Sequence, residues 1–197
     1  YAIVRASRIT YVGELGWELY IPTEFMADVF DTIVAAGDAF GLKFAGYHAL
    51  NSLRMEKAYR HWGHDITDED TPLEAGLGFA VKLDKSGGFI GRDALLAQKQ
   101  AGLKQRLVQF LLKSPEPMLY HNEPIWQGDR IAGYIRSGMY ATTLGAACGL
   151  GYVTAPDGGV VGPIGADDYE IEIAGVRWPV TASLKPLFDP GNARIKI

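Results

Sequence analysis

From residue 103 onward the chain is written in short apolar stretches punctuated by glycine and proline: "RLVQFLL", "EPIWQGDRIAGYIRSG", "GLGYV", "YEIEIAGVRWPVTASL" and "ARIKI". No other feature constrains the fold so tightly. Runs this short, rich in β-branched and aromatic residues and bounded by turn formers, read as strands rather than helices. Ala174–Gly175 separates EIEI from VRWPV by two residues, the spacing of a tight hairpin turn. Short strands in regular succession suggest a small barrel or sandwich.

The preceding hundred residues have a different texture. Residues 2–21 read as strand, interrupted by a turn or bulge near Gly13–Gly16. Thr23 is a candidate N-cap, and Met26, Val29, Phe30, Ile33 and Val34 then recur at helical spacing until Gly41. A second helix is expected from about Gly46 to Tyr59, burying Leu50 and Leu53 and showing Arg54, Glu56 and Lys57 on a solvated face. "HWGHDITDEDTPLEAG" is loop by composition, "LGFAVKLD" reads as a strand, and "GRDALLAQKQAG" reads as a helix closed by Gly102. The shift in texture places a domain boundary between residues 102 and 103, giving units 1–102 and 103–197.

Composition narrows the function classes. The chain of 197 residues carries a net charge of −4, and no Lys/Arg run has the density of a phosphate-tracking stripe, so nucleic acid is not the expected partner. No apolar run approaches the roughly 20 residues that span a bilayer, so no membrane partner is expected either. Cys148 is the lone cysteine; it sits in the apolar run "AACGLGYV" and reads as a buried, inert thiol in a reducing compartment. The chain opens at Tyr1 in an apolar-polar series that looks like the middle of a sheet, which suggests a piece of a longer protein.

The segment "YVGELGWELYIP" raises the sharpest question, because it places Gly13 and Gly16 beside Glu14 and Glu18 within an otherwise strand-like sequence. A glycine inside a strand marks a bulge or a close approach by backbone or ligand. A carboxylate beside such a gap is either solvated or offered to a donor-bearing partner. One such partner is a planar heterocycle, whose amino-pyrimidinone edge presents two parallel N–H groups as a guanidinium does. Tyr11 and Trp17 would supply aromatic faces.

Other motifs carry less. His61, His64 and Asp65 are residue types of a transition-metal site, but no third ligand-rich segment accompanies them, and local hydrogen bonding is the default. Asp68 and Asp70 resemble the start of a calcium loop, but Pro72 stands where that loop needs its glycine turn. Neither "GLG" nor "GGVVGPIG" completes a dinucleotide or phosphate fingerprint. No metal is expected.

Taken in order, "YVGELGWELYIP", "AGYHALNSLRMEKAYRHWGHDI", "TPLEAGL", "FIGRDAL", "EPIWQGDRIAGYIRSG", "CGLGYV" and "PLFDPGNARIK" resemble the glycine-cleavage T-protein (aminomethyltransferase) family. Within it they look most like the C-terminal folate-binding region of sarcosine and dimethylglycine dehydrogenases, toward which "RMEKAYRHWGHDI" tilts. The resemblance implies an α+β fold, with a mixed strand-helix folate-binding segment followed by a small C-terminal all-β barrel. It implies tetrahydrofolate as cofactor, with Tyr11 and Glu18 matching the motif positions that contact it. Glu18 would hold the pterin edge, across a bulge that brings it to the same side as Tyr11. FAD would belong only to an absent N-terminal domain.

The implied partners are that flavin domain and the absent N-terminal half of the folate-binding domain. The implied location is the cytoplasm of a bacterium or the mitochondrial matrix of a eukaryote. Two departures are visible. Leu50 stands where the T-protein has an arginine, a replacement that the demethylating relatives share. The family's catalytic aspartate belongs to a segment before the tyrosine motif, so no catalytic residue is assigned here, and Asp65 and Asp68 do not replace it. The resemblance therefore implies one-carbon transfer to tetrahydrofolate in a full-length N-methyl-amine demethylase, with the isolated chain inactive. The alternatives are a non-catalytic folate-binding or assembly module, and the T-protein itself.

Overall fold

The computed structural model describes residues 1–196. Its C-terminal part is a closed antiparallel barrel of six strands: β3 (Gln105–Leu112), β4 (Pro124–Gln127), β5 (Arg130–Ala141), β6 (Ala146–Thr154), β7 (Glu170–Ile173) and β8 (Val176–Ser183). Around the barrel the order is β3-β6-β5-β4-β7-β8, and β3 closes the ring by pairing with both β6 and β8. The hairpin at Ala174–Gly175 forms as the spacing indicates, with Ile173 opposite Val176. Positive φ at both turn residues (51° and 78°) gives the primed turn whose twist matches its strands.

Alternation sorts the strands into two cores. Val108, Phe110, Ile125, Ile135, Val153, Ile171 and Val180 fill the barrel. Leu107, Cys148, Leu150 and Tyr152 point outward from β3 and β6 and meet Met55 and Ala58. Strand β6 is therefore buried on both faces, which explains its unbroken apolar run. Gly151 lies where the interior is tight, since a Cβ there would come within 2.7 Å of Ile125 Cδ1.

The first hundred residues meet this barrel mainly through one helix, the second, which packs on β5 and β6. Strands β1 (Arg5–Ser7) and β2 (Glu18–Tyr20) pair antiparallel, with Arg5 opposite Tyr20 and Ser7 opposite Glu18. The strand expected over 2–21 thus survives only at its ends. Residues 8–17 leave the sheet because the Thr10 hydroxyl accepts from the amides of Val12 and Gly13 (3.2 and 3.1 Å), turning the backbone locally. Helix α1 (Met26–Gly37) follows a 3-10 turn at Thr23–Phe25; Thr23 lies inside that turn, Pro22 precedes it, and no side chain caps it. Helix α2 is Tyr47–Glu56 and helix α3 is Arg92–Ala101.

Two expected strands are absent. "LGFAVKLD" forms a 3-10 turn at Gly78–Ala80, and residues 193–196 of "ARIKI" lie outside any strand, its last residue falling beyond the described chain. Neither has a neighbouring strand to pair with, because the barrel is already closed without them. Short strands gain their stability from pairing, not from composition.

Helix α2 is the joint between the two parts. The Ser52 hydroxyl donates to the Tyr140 carbonyl at 2.7 Å. Gln109, buried in β3, donates its amide to the carbonyls of Met55 (2.7 Å) and Glu56 (3.2 Å). These belong to the last turn of α2, whose carbonyls lack intrahelical partners. The same Gln109 accepts from the Leu187 amide at 2.8 Å, so one side chain ties helix, barrel and C-terminal segment together.

A cavity where the second helix ends

The charged run after Leu53 folds inward. Arg54, Glu56 and Lys57 are all buried, which overturns the solvated face expected for them, while Leu50 and Leu53 are only half-buried. The reason is that α2 lies between the barrel on one side and loops 59–77 and 184–192 on the other, so the side of its last turn that carries these charges does not reach water. Each buried charge then requires a partner.

Arg54 pairs with Asp65 at 2.5 Å, both essentially inaccessible, and donates further to the Tyr59 carbonyl (3.1 Å) and Ser137 Oγ (3.2 Å). Asp65 also accepts from the His61 amide at 2.8 Å and from the Ser137 hydroxyl. Glu56 accepts from the Thr143 amide at 2.6 Å. Lys57 donates to the Asp189 carbonyl at 2.6 Å and faces its carboxylate at 3.3 Å.

Beyond Glu56 the chain reverses through Ala58, whose φ of 53° is the left-handed conformation that commonly ends a helix. This turn carries Tyr59 and Arg60 under the 8–17 loop. Tyr59 stacks on Tyr11 with ring centroids 6.0 Å apart and planes inclined by 14°. The Tyr11 hydroxyl donates to the Arg60 carbonyl at 2.9 Å. Burial pushes the phenols of Tyr11 and Tyr59 above their ordinary value, so both are neutral over the physiological range.

Together these segments line an open cavity of about 520 Å³. Its walls are the stacked tyrosines, the end of α2 with Lys57 and Arg60, the turn around Gly76–Phe79, and the C-terminal segment from Leu184 to Asn192. Gly13 owes its identity to this arrangement. It has a φ of 76°, and a Cβ there would lie 2.4 Å from Lys57 Cγ. What approaches this glycine is the stem of Lys57. Gly16 has no such neighbour, its nearest contact being 3.5 Å.

The two sequence-assigned residues occupy different settings. Tyr11 is in the cavity wall. Glu18 is on β2, half-exposed, where its carboxylate accepts from the Tyr20 hydroxyl at 2.7 Å, and it is not part of the wall. Glu14 pairs with Arg194 at 2.8 Å on the surface. Trp17 is exposed at 61% of its full area, beside Leu15, Leu19 and Tyr20.

The rings of His61 and His64 lie 4.7 Å apart, but Asp65 is turned inward to Arg54, and no metal-holding group of three His, Cys, Asp or Glu residues occurs among the described residues. Asp70 accepts from the Thr67 amide at 2.8 Å, closing a turn. Cys148 is fully buried, and burial pushes its thiol up to about 12.

Sequence reasoning missed Tyr59, Lys57 and Arg60 as cavity residues. The available signal was the dense mixture of aromatic and basic residues in "EKAYRHW" at the end of a helix.

Comparison with known proteins places this architecture. Residues 1–85 match the GCVT N-terminal domain, and residues 105–189 match the glycine cleavage T-protein C-terminal barrel domain. The chain is 42% identical to human mitochondrial sarcosine dehydrogenase over 98% of its own length and 21% of that protein. It is 40% identical to the mouse mitochondrial pyruvate dehydrogenase phosphatase regulatory subunit, over 93% of this chain and 22% of that protein. It thus spans about a fifth of the length of these curated relatives. Among solved structures, the aminomethyltransferase of the glycine cleavage system from Bartonella henselae shares the fold, with a TM-score of 0.77 at 23% identity over 89% of this chain and 47% of that one.

Proposed function

The chain belongs to the glycine-cleavage T-protein family, and on that premise we propose that it is the tetrahydrofolate-binding, aminomethyltransferase-like module of a longer N-methyl-amine demethylase. The observation that carries this reading is the cavity beside Tyr11, walled by the stacked Tyr11–Tyr59 pair. Tetrahydrofolate, when bound, supplies the ring nitrogen that takes up the one-carbon unit.

The chain's own residues would bind and orient. Because the Tyr11 hydroxyl proton is committed to the Arg60 carbonyl, Tyr11 offers a ligand its ring and an acceptor oxygen rather than a donor. Glu18 offers a carboxylate held by nothing stronger than the neighbouring Tyr20 hydroxyl, and it can exchange that donor for the paired N–H groups of a pterin edge. The site then extends from the cavity to the hairpin. Its contribution to rate is positioning of two reactants.

In this reading the units meet between residues 102 and 103. Oxidation of a sarcosine- or dimethylglycine-like amine takes place on a flavin carried elsewhere in the longer protein. The catalytic aspartate lies in the other half of the folate domain, so the chain by itself turns nothing over. A bacterial protein of this kind would work in the cytoplasm, a eukaryotic one in the mitochondrial matrix. The apolar surface supports an absent partner half: no residue of α1 is buried, Phe30 and Phe44 stack in the open 5.8 Å apart, and Trp17 stands nearby in sequence on the exposed hairpin.

Calorimetric titration with tetrahydrofolate tests the reading. In a protein carrying the whole folate domain, Glu18→Gln should weaken binding by roughly 1–3 kcal/mol, because a charged acceptor is lost. Equal affinities would remove Glu18 from the site. A turnover assay with tetrahydrofolate and a formaldehyde-derived iminium should find the present chain inactive; activity matching an intact relative would refute that part. The likeness to a regulatory subunit favours a second reading, a module that binds folate or assembles without catalysis. Folate binding without turnover in the full-length protein would select it.

A further inference from the structure

Three cationic side chains, Lys57, Arg60 and Lys185, line the cavity, and among the described residues no aspartate or glutamate does. That is a marked local excess in a chain of net charge −4. The three are not equivalent. Lys57 is already matched by Asp189. Lys185 is exposed at the rim.

Arg60 is the unmatched one. Its Nε donates to the Ala75 carbonyl at 3.0 Å and its Nη1 to the Ala58 carbonyl at 2.8 Å. These bonds fix the guanidinium plane without neutralising it, and Arg60 forms no ion pair among the described residues. Asp65 acts on it only at a distance, its oxygens being engaged by Arg54, Ser137 and the His61 amide. Nη2 lies against Gly76, where a Cβ would come within 2.7 Å, and Gly76 is itself part of the cavity wall. Arg60 thus borders the cavity with its Nε and Nη1 committed to carbonyls, and among the described residues no carboxylate pairs with its guanidinium. Partial burial disfavours the charged form and lowers the arginine's pKa, so a counter-charge at this position is worth more than it would be in water.

We propose that Arg60 anchors a carboxylate of the cavity's ligand, so that the site selects molecules joining an aromatic ring, set against Tyr11 and Tyr59, to an anionic tail. A planar carboxylate suits a fixed guanidinium edge. Resting on the folate reading above, this assigns the glutamate tail to Arg60 and leaves the pterin to the hairpin side of the site. Lys185 at the rim adds longer-range attraction.

Isothermal titration of the full chain decides the matter with three probes: p-aminobenzoyl-glutamate, its uncharged diamide, and tetrahydrofolate. The diacid should bind at least tenfold tighter than the diamide. Arg60→Met should lose at least tenfold for the diacid and leave the diamide unchanged, Lys185→Gln should lose severalfold, and inorganic phosphate should compete poorly. Equal affinities for diacid and diamide, no measurable binding of the diacid, or equal loss for both probes in Arg60→Met would overturn the proposal. Should Arg60→Met fail to fold, Arg60→Lys takes its place: selective weakening of the diacid supports the anchor, and unchanged affinity for both probes overturns it. The folate reading is judged separately, in a protein carrying the whole folate domain, where tetrahydrofolate binding no tighter than p-aminobenzoyl-glutamate would remove the pterin while leaving the Arg60 assignment standing.

Discussion

Gly13→Ala tests the link between the tyrosine loop and the buried end of α2. The substitution meets two penalties. The backbone at this position is left-handed, with φ of 76°, which costs a residue bearing a Cβ about 1–2 kcal/mol. The new methyl would also lie 2.4 and 2.6 Å from Cγ and Cδ of Lys57, far inside the roughly 3.5–4.0 Å of a normal carbon contact. Lys57 cannot swing aside, because its side chain is fully buried and its ammonium is held by the Asp189 carbonyl at 2.6 Å. Overpacking of this kind costs typically 1–3 kcal/mol. The expected loss is therefore about 2–5 kcal/mol in urea denaturation followed by tryptophan fluorescence.

Gly16→Ala is the control. Its nearest contact would be 3.5 Å, its φ is not positive, and it should cost under about 1 kcal/mol. Combining Gly13→Ala with Lys57→Ala removes the obstructing stem, so the double variant should be more stable than the sum of the singles by about 1–3 kcal/mol. Additive effects, or a Gly13→Ala cost equal to that of Gly16→Ala, would refute the account of why this glycine is there.

Three further outcomes are expected. Asp65→Asn leaves the Arg54 guanidinium buried without a counter-charge and should destabilise by about 3–5 kcal/mol in the same denaturation assay. A shift below 1 kcal/mol would mean that the pair is dispensable. Cys148 should resist a thiol reagent in the native chain at pH 8 and react fully in urea. Its folded value of about 12 lies above the ordinary 9.0, so its contribution is intact below about pH 9 and is lost as pH rises toward 12. Cys148→Ala should accordingly soften the alkaline fall in stability, and an unchanged fall would assign it elsewhere. The exposed surface around Trp17, Phe30 and Phe44 should drive self-association measurable by light scattering, relieved by Trp17→Ser with Phe44→Ser. A clean wild-type monomer would argue against an uncovered interface.

Much of the architecture was legible in the residues. Alternating strands, the two-residue spacing at Ala174–Gly175 and the helical period from Met26 depend on sterics within a few positions, so local pattern suffices to read them. Tyr11 was legible as a candidate by its motif, and the structure puts it in a cavity wall.

The interior of the joint was not legible. Charge type argues for solvent, and only the packing of α2 between barrel and loops shows that Arg54, Glu56 and Lys57 are enclosed. Their partners are remote along the chain: Asp65 lies 11 residues from Arg54, and Asp189 lies 132 from Lys57. The meaning of Gly13 depends on a lysine stem that reaches it only in three dimensions. Local sequence determined the helices, most of the barrel strands and which tyrosine to watch, but not that 77–84 and 193–196 would find no strand to pair with. Closure of the barrel against α2 alone decided which charges are buried, which are matched, and that Arg60 faces the cavity with no countercharge in its wall. Pattern acts over one or two turns of chain, whereas the pairing of buried charges is settled by whichever distant groups folding brings into contact.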